Sequence, residues 1–435
     1  MDLKAEGFPS AFLCCISAET QRWKERAMSF WNDPVSAVGD WLRALLSGWG
    51  LPPEAVTAIV YFLAALVLAG VLFGFVVFLI WYERKLVARM QDRLGPNRVG
   101  PYGLLQPIAD VLKLILKEVI TPAEADKPLY NLAPILSVAG ALLVWAAVPL
   151  APTLGVDMNV GVLFIVAAGT LSTLAVILAG WASNNKYALL GAFRTVAQVV
   201  SYEVPMVLTL MVPVILARTM SVQGIVQSQT VWYLVYTPVA LLVFFVASIA
   251  EIGRTPFDLL EAESEIVAGF HIEYSGMKFA MFFAGEFLHA FTVGALTALL
   301  FLGGWRGPGV EIYPILGVVY FWIKAFLAYT VVAWIRFTFP RLRIDQMMDF
   351  CWKFLTPLAL VLVMGTAVLD KLVVGWGPWG RALAHLAMNI VIGWAALAWS
   401  EAQTRRKPRP VVSEPRPVAR PPQPAESAEV PAEAA

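Results

Sequence analysis

The sequence predicts an all-α polytopic membrane protein, with 8–9 transmembrane helices and an amphipathic interfacial helix after the first span. Three observations carry that expectation. Of 435 residues, 59% are hydrophobic and only 14% are charged, whereas soluble domains carry about 25% charged residues. Uncharged stretches repeatedly reach the roughly 20 residues needed to cross a ~30 Å hydrocarbon core, and mean hydropathy is +0.70. Lysines and arginines also collect in alternate loops, as the positive-inside rule requires.

The first span is Val56 to Trp81, which holds no charge; its Gly70 and Gly74 form a GxxxG pair suited to close helix packing. The second is Asn131 to Leu150 and the third lies within Met158 to Ser183. The fourth, Thr195 to Ala217, reaches full length only with Glu203 inside it. Val231 to Ala250 is the fifth, Phe279 to Gly304 the sixth with Glu286 inside, and Ile315 to Thr338 the seventh with Lys324 inside. Phe354 to Leu369 makes a short eighth, and Ala382 to Ser400 a ninth of weaker character. The odd loops and the tail carry 22 lysines and arginines, whereas the opposite loops after the first span carry only Arg218, Arg306, Lys371 and Arg381. That asymmetry sets the odd loops and C-terminal tail in the cytoplasm and the N-terminus outside, in a bacterial-type cell membrane.

Three regions follow: an N-terminal extension over 1–55, a helical membrane domain over 56–400 with an acidic loop at 251–278, and a Pro/Ala/Glu-rich tail over 401–435. The tail lacks any apolar run and reads as disordered. Phe8 to Ile16 is too short for a signal peptide's apolar region. Residues 1–27 are either an extension ahead of a start at Met28 or an amphipathic segment on the outer surface.

Composition also excludes function classes. A net charge of +1 gives no field for nucleic acid. Three cysteines (Cys14, Cys15, Cys351) and three histidines (His271, His289, His385) are too few for a self-contained iron–sulfur, haem or zinc enzyme. No metal site is expected; Glu286 and His289 have di-iron spacing, but a second such pair is missing. The chemistry falls to carboxylates, lysines and arginines.

In the first cytoplasmic loop, Glu83 and Arg84 stand where the first span leaves the membrane. Leu104, Leu105, Ile108, Val111, Leu112, Ile115 and Leu116 then recur at helical spacing, with Asp110, Lys113 and Lys117 on the polar side. The third cytoplasmic loop is acidic, with Glu251, Asp258, Glu261, Glu263, Glu265 and Glu273 against Arg254 and Lys278. If Pro256 begins a helix, Asp258, Glu261 and Glu265 share one face. Crowded carboxylates raise one another's affinity for protons, so such a row suits proton transfer. Glu203, beside Pro205, and Glu286 lie about two turns inside their spans, and Lys324 near mid-depth. Ionisable residues at membrane depth are functional by default. Two acids at similar depth under an acidic loop suggest a proton path; the bland alternative is one buried pair of a glutamate with Lys324.

Four segments carry a family resemblance: YERKLVARMQDRLGPNRVGPYGLLQPIADVLKLILKE (82–118), GWASNNKYALLGAFRTVAQVVSYEV (180–204), EIGRTPFDLLEAESEIVAGFHIEYSGMKFAMFFAGE (251–286) and RLRIDQMMDFCWKFLTPLAL (341–360). They resemble the H subunit (subunit 1) of respiratory complex I, the proton-pumping NADH:quinone oxidoreductase. The resemblance runs in order over about 56–375. It implies a cofactor-free translocase subunit, binding no flavin, haem or iron–sulfur cluster, that lines the tunnel for its quinone substrate. It implies as partners the hydrophilic-arm quinone-site and iron–sulfur subunits, small membrane subunits, antiporter-like subunits and membrane lipid. The tunnel's charged lining falls on Glu83, Arg84, Arg93, Asp110 and Arg254. The acidic relay falls on Glu203, Glu251, Asp258, Glu261, Glu263, Glu265 and Glu286. Rival readings are a related hydrogenase subunit, a stand-alone transporter using Glu203, Glu286 and Lys324, and a structural anchor.

Overall fold

The computed structural model describes residues 34–152, 155–260, 267–311 and 313–406. The readings made above for residues 1–33, for the tail beyond 406, and for Glu261, Glu263 and Glu265 lie outside the described residues. Contacts divide the chain into two units, Met1–Gly393 and Trp394–Ala435.

Every regular element among the described residues is helical. In order they are α1 (Pro34–Gly48), α2 (Pro53–Met90), α3 (Gln106–Leu116), α4 (Lys127–Val144), α5 (Gly161–Ala182), α6 (Lys186–Ala217), α7 (Val222–Ser228), α8 (Tyr233–Tyr236), α9 (Pro238–Ile252), α10 (Gly276–Phe301), α11 (Ile315–Thr338), α12 (Ile344–Phe350), α13 (Thr356–Leu372) and α14 (Pro378–Arg406). A π-helical turn, Cys351–Leu355, joins α12 to α13. The result is one run of 29 residues, Ile344–Leu372, so the eighth span is longer than the sequence suggested.

Among the described residues, eight helices are long and apolar enough to cross a membrane. The predicted fifth span is the exception, because α9 has only 15 residues and α8 is a separate 4-residue turn before it. Thr237 breaks the run: its φ/ψ of −137/63° is non-helical, and Pro238 after it has no N–H to continue the ladder.

Helices in lipid gain little from apolar contact, so small residues and polar bonds must bring them together. Gly140 on α4 does this, since a Cβ there would lie 2.8 Å from Ser172 Oγ on α5. Gly294 on α10 does the same against α11, where a Cβ would stand 2.6 Å from the Ala325 carbonyl. The predicted Gly70/Gly74 seam is not used in this way: nothing lies within 4 Å of either position. At the centre Trp145 stacks on Phe291 at 5.5 Å and donates to Thr292 Oγ1 at 2.8 Å.

α3 forms where the apolar spacing placed it, and Ile108, Leu112, Ile115 and Leu116 remain exposed. An outward apolar face is the expected state of a helix lying at a lipid interface. α1 packs Leu42 and Leu46 against Val56, Ile59 and Val60 of α2.

Lys324 is corrected. Its Nζ donates to the carbonyls of Leu302 and Gly304 at 2.9 Å and of Arg306 at 2.8 Å. These carbonyls belong to the turn just past the end of α10, where a cation also meets the negative end of the helix dipole. Lys324 therefore fastens the turn after α10 and does not form the buried pair with a membrane glutamate that was the bland alternative.

Candidate functional site

The loop after α9 builds the site. Gly253 ends the helix with φ +73°, and the Arg254 N–H bonds back to the Ile249 carbonyl at 3.3 Å. A left-handed residue at this position reverses the chain, and glycine adopts it without a Cβ clash. The reversal turns Arg254 inward, where it is only 2% exposed.

Arg254 joins two acids that are far apart in sequence. Its Nη1 donates to Glu83 Oε2 at 3.4 Å, and its Nε forms an ion pair with Glu286 Oε1 at 2.8 Å. Its guanidinium also lies 4.5 Å from the Phe287 ring centroid. Glu83, near the end of α2, accepts from Tyr329 Oη and Arg336 Nη1 of α11, each at 2.6 Å. Two carboxylates thus face two guanidiniums, with a phenol completing the shell. A buried charge is tolerable only when paired and hydrogen-bonded in this manner.

Beside this network is a cavity of about 120 Å³ among α4, α5, α6, α9 and α10. Glu251 and Glu286 line it, with Ser172, Ser248, His289 and Thr292. That volume admits several waters, each needing about 10–15 Å³, at the polar groups set among mostly apolar walls. Glu251 stands next to Gly169 of α5, where a Cβ would be 4.0 Å from Oε1. Glu203, on α6, is close enough for its charge to act on Glu251. Among the described residues neither Glu203 nor Glu251 forms an ion pair.

Pro205 shapes the helix around Glu203. Lacking an N–H, it leaves the Ser201 carbonyl without its helical donor. The Cys351 thiol fills that place, donating to Ser201 O at 3.1 Å. Cys351 begins the π-helical turn, so two departures from regular helix meet at the level of Glu203.

Asp258 is placed differently from the sequence expectation. No helix begins at Pro256 over residues 256–260. The carbonyls a helix would use are already engaged: Pro256 O accepts from Leu342 N at 2.9 Å, Phe257 O from Gln198 Nε2 at 2.7 Å, and Leu259 O from Arg194 Nη2 at 2.8 Å. Asp258 pairs with Arg341 at 2.9 Å. The face it was expected to share with Glu261 and Glu265 falls partly outside the described residues.

The remaining tunnel candidates form a separate group. Arg84 pairs with Asp110 of α3 at 2.5 Å, and Arg93 donates to Gln91 at 2.8 Å. Arg84 and Arg93 line one surface groove with Leu94 and Pro96. Glu83 and Arg84 are sequence neighbours, yet the helical turn of about 100° sends them into different surroundings.

Glu273 anchors the end of the acidic loop, accepting from Asn185 Nδ2 at 2.6 Å while its carbonyl accepts from Tyr130 Oη at 2.7 Å. Tyr274 stacks on Tyr130 at 4.1 Å, and burial pushes its phenol up, keeping it a donor to the Tyr130 carbonyl.

Glu286 and His289 line one cavity but are not arranged as a di-iron ligand pair: the carboxylate is paired with Arg254 and the imidazole Nε2 lies 2.7 Å from Ser172 Oγ. Among the described residues no group of three His, Cys, Asp or Glu side chains is placed to hold a metal. Sequence reading missed Tyr329, Arg336 and Ser248. The first two lie seven residues apart on one face of a span, a spacing that marks a polar stripe. Ser248 had no such signal.

The sequence model of the NADH dehydrogenase family matches residues 63–367, which hold this whole network. A chain from Dehalococcoides mccartyi (strain CBDB1), named as the H subunit of NADH-quinone oxidoreductase, is 48% identical over 312 residues, covering 71% of this chain and 87% of its own. This chain belongs to the H-subunit family. Relatives of the same name from Brevibacillus brevis (47% identical; 73% of this chain, 95% of theirs) and Geobacillus sp. strain WCH70 (46%; 74% and 97%) agree. The segment matched to the family takes in Glu83, Glu203, Glu251, Arg254 and Glu286. Asp370 and α14 lie beyond it.

Proposed function

We propose that this H-subunit family member is a membrane subunit of a proton-translocating NADH:quinone oxidoreductase, where it forms the quinone-access tunnel and an acidic relay coupling quinone reduction to proton pumping. The observation that carries the reading is Arg254, which ties Glu83 of α2 to Glu286 at the polar chamber. One guanidinium bound to two acids makes each acid's protonation depend on the other.

Quinone is the substrate, and its electrons come from partner subunits that hold the flavin and iron–sulfur clusters. The isoprenoid tail passes between the exposed apolar face of α3 and α2. Arg84, Arg93 and Asp110 lie at the mouth, and Glu83 and Arg254 at the inner wall. Reduction adds electrons to the quinone before the balancing protons arrive, so negative charge develops near Glu83 until those protons are supplied. Arg254 then favours that charge, its hold on Glu286 weakens, and Glu286 takes a proton from the chamber. Glu251 and Glu203 continue the path, and Asp258, Glu261, Glu263 and Glu265 collect protons on the cytoplasmic side. The N-terminus faces outward and the acidic loop and tail face the cytoplasm, following the basic loops. The transporter alternative fits the geometry poorly, since Glu286 and the α10 end held by Lys324 are about 24 Å apart along the helix.

Glu286→Gln tests the relay in inverted membrane vesicles. The complex is expected to assemble, with quinone reductase rate and pumping down about tenfold. Wild-type pumping in Glu286→Gln would remove the relay, and a chain that purifies without redox partners would remove the whole reading.

A further inference from the structure

His289 is an ionisable group inside a span, and the function proposed above leaves it unused. It is the fourteenth of 26 residues in α10, so a 1.5 Å rise puts it about 20 Å along the helix, at mid-depth of a ~30 Å core. A titratable ring at that depth is costly unless it has work to do. The ring does not face lipid: it lines the chamber, with Nε2 2.7 Å from Ser172 Oγ. Ser172 is itself fixed by the close approach of α4 at Gly140.

A second observation concerns what fills the chamber. Ser248 of α9 is 0% exposed and lines the same cavity, yet its Oγ has no hydrogen-bond partner. A serine in a helix ordinarily satisfies itself on a carbonyl one turn back. A buried hydroxyl left open on a cavity of about 120 Å³ is a place for a water to bind. Beyond Thr292 the lining turns apolar, with Val144, Ile165, Leu210 and Leu296. His289 therefore stands where the polar path ends.

We propose that His289 is the terminal proton-holding station of the chamber, exchanging a proton with Glu286 through water bound at Ser248 while Ser172 holds its ring in place. This rests on the relay reading given above. The proton leaves the carboxyl of Glu286, crosses the bridging water and binds the imidazole, which becomes cationic. Return by the same route restores both groups, and no electron moves. The charged groups around it are Glu286 on its own helix, bound to Arg254, Glu251 on α9, and Glu203 acting on Glu251 from α6. From α4 and α5 the chamber receives only the hydroxyls of Ser137, Ser172 and Thr173 as polar side chains.

The test uses the whole oxidoreductase in inverted vesicles, measuring NADH-driven proton uptake, quinone reductase rate and the pH profile of turnover. His289→Gln keeps a hydrogen bond to Ser172 but cannot hold a proton; it should pump at least twofold fewer protons per NADH and lose one limb of the pH profile. Ser172→Ala, a smaller change that preserves the ring, should shift that limb along the pH axis. Wild-type stoichiometry and profile in His289→Gln, with Glu286→Gln impaired, overturn this inference alone. Normal pumping in both overturns the relay reading as well. If His289→Gln fails to assemble, an unshifted profile in Ser172→Ala overturns the assignment.

Discussion

Two charged clusters occupy opposite ends of the helices, and their surroundings differ more than their chemistry. At the loop end, Arg254 and Glu83 are 2% and 6% exposed and stand beside the polar chamber. At the far end, Asp370 of α13 is gripped by Arg381, by Arg218 at 3.3 Å and by His385 Nε2 at 3.7 Å. There the Arg218 side chain is 62% exposed and Arg381 reaches on to the Leu216 carbonyl. One acid against two arginines makes a clasp, which closes the α13–α14 turn onto the end of α6. Two acids sharing an arginine beside a water-sized void can instead change protonation without leaving a charge stranded. Burial of charge alone does not identify a relay; the adjoining space for water does.

Arg254→Ala is the hardest test of that distinction. Breaking a buried pair by removing one partner costs about 3–5 kcal/mol, and here two acids lose a partner together. The variant is expected to disappear from the assembled complex on a native gel, whereas Arg254→Lys should assemble and turn over about tenfold more slowly. An active Arg254→Ala complex would mean that the loop-end network is not a unit. Asp370→Ala should cost less, about 1–3 kcal/mol, because water can reach its arginines. A lower thermal midpoint with quinone reductase activity intact at room temperature is the expected pair of readings; lost activity would erase the contrast between clasp and relay. Lys324→Met should have the smallest effect, about 1–2 kcal/mol, for the three carbonyls left at the α10 terminus. A loss of pumping in this variant, out of proportion to its thermal shift, would put Lys324 back among the functional residues.

Fold and acids were legible in sequence for a plain reason: spans and intramembrane charges are written in local composition. Glu203, Glu251 and Glu286 were each visible that way. Their partners were not, because Arg254 finds Glu83 across 171 positions and Asp258 finds Arg341 across 83. Helix from Pro256 was a reasonable expectation from spacing, but Gln198 and Arg194 on another helix hold its carbonyls. Lys324 read as functional by default, with a buried pair as the alternative, because sequence shows depth but not the carbonyl cage just past the end of α10. Ser248 matters for a bond it lacks, which no pattern of residues encodes.

The short α9 bears on how the protein is made. Its 15 residues reach about 22 Å, some 8 Å less than the hydrocarbon core. A segment of that length is not held in a bilayer by its own hydrophobicity without thinning it. It is held by neighbours, since Ala240, Val243, Phe244 and Ala247 are buried in the packed core and α9 contacts both α6 and α10. During synthesis α6 is already made when α9 emerges, but α10 is not. Until Gly276–Phe301 follows, the helix that carries Glu251 and leads into Arg254 lacks one of its packing partners, so membrane integration of this region is completed backwards, by the span that comes after it.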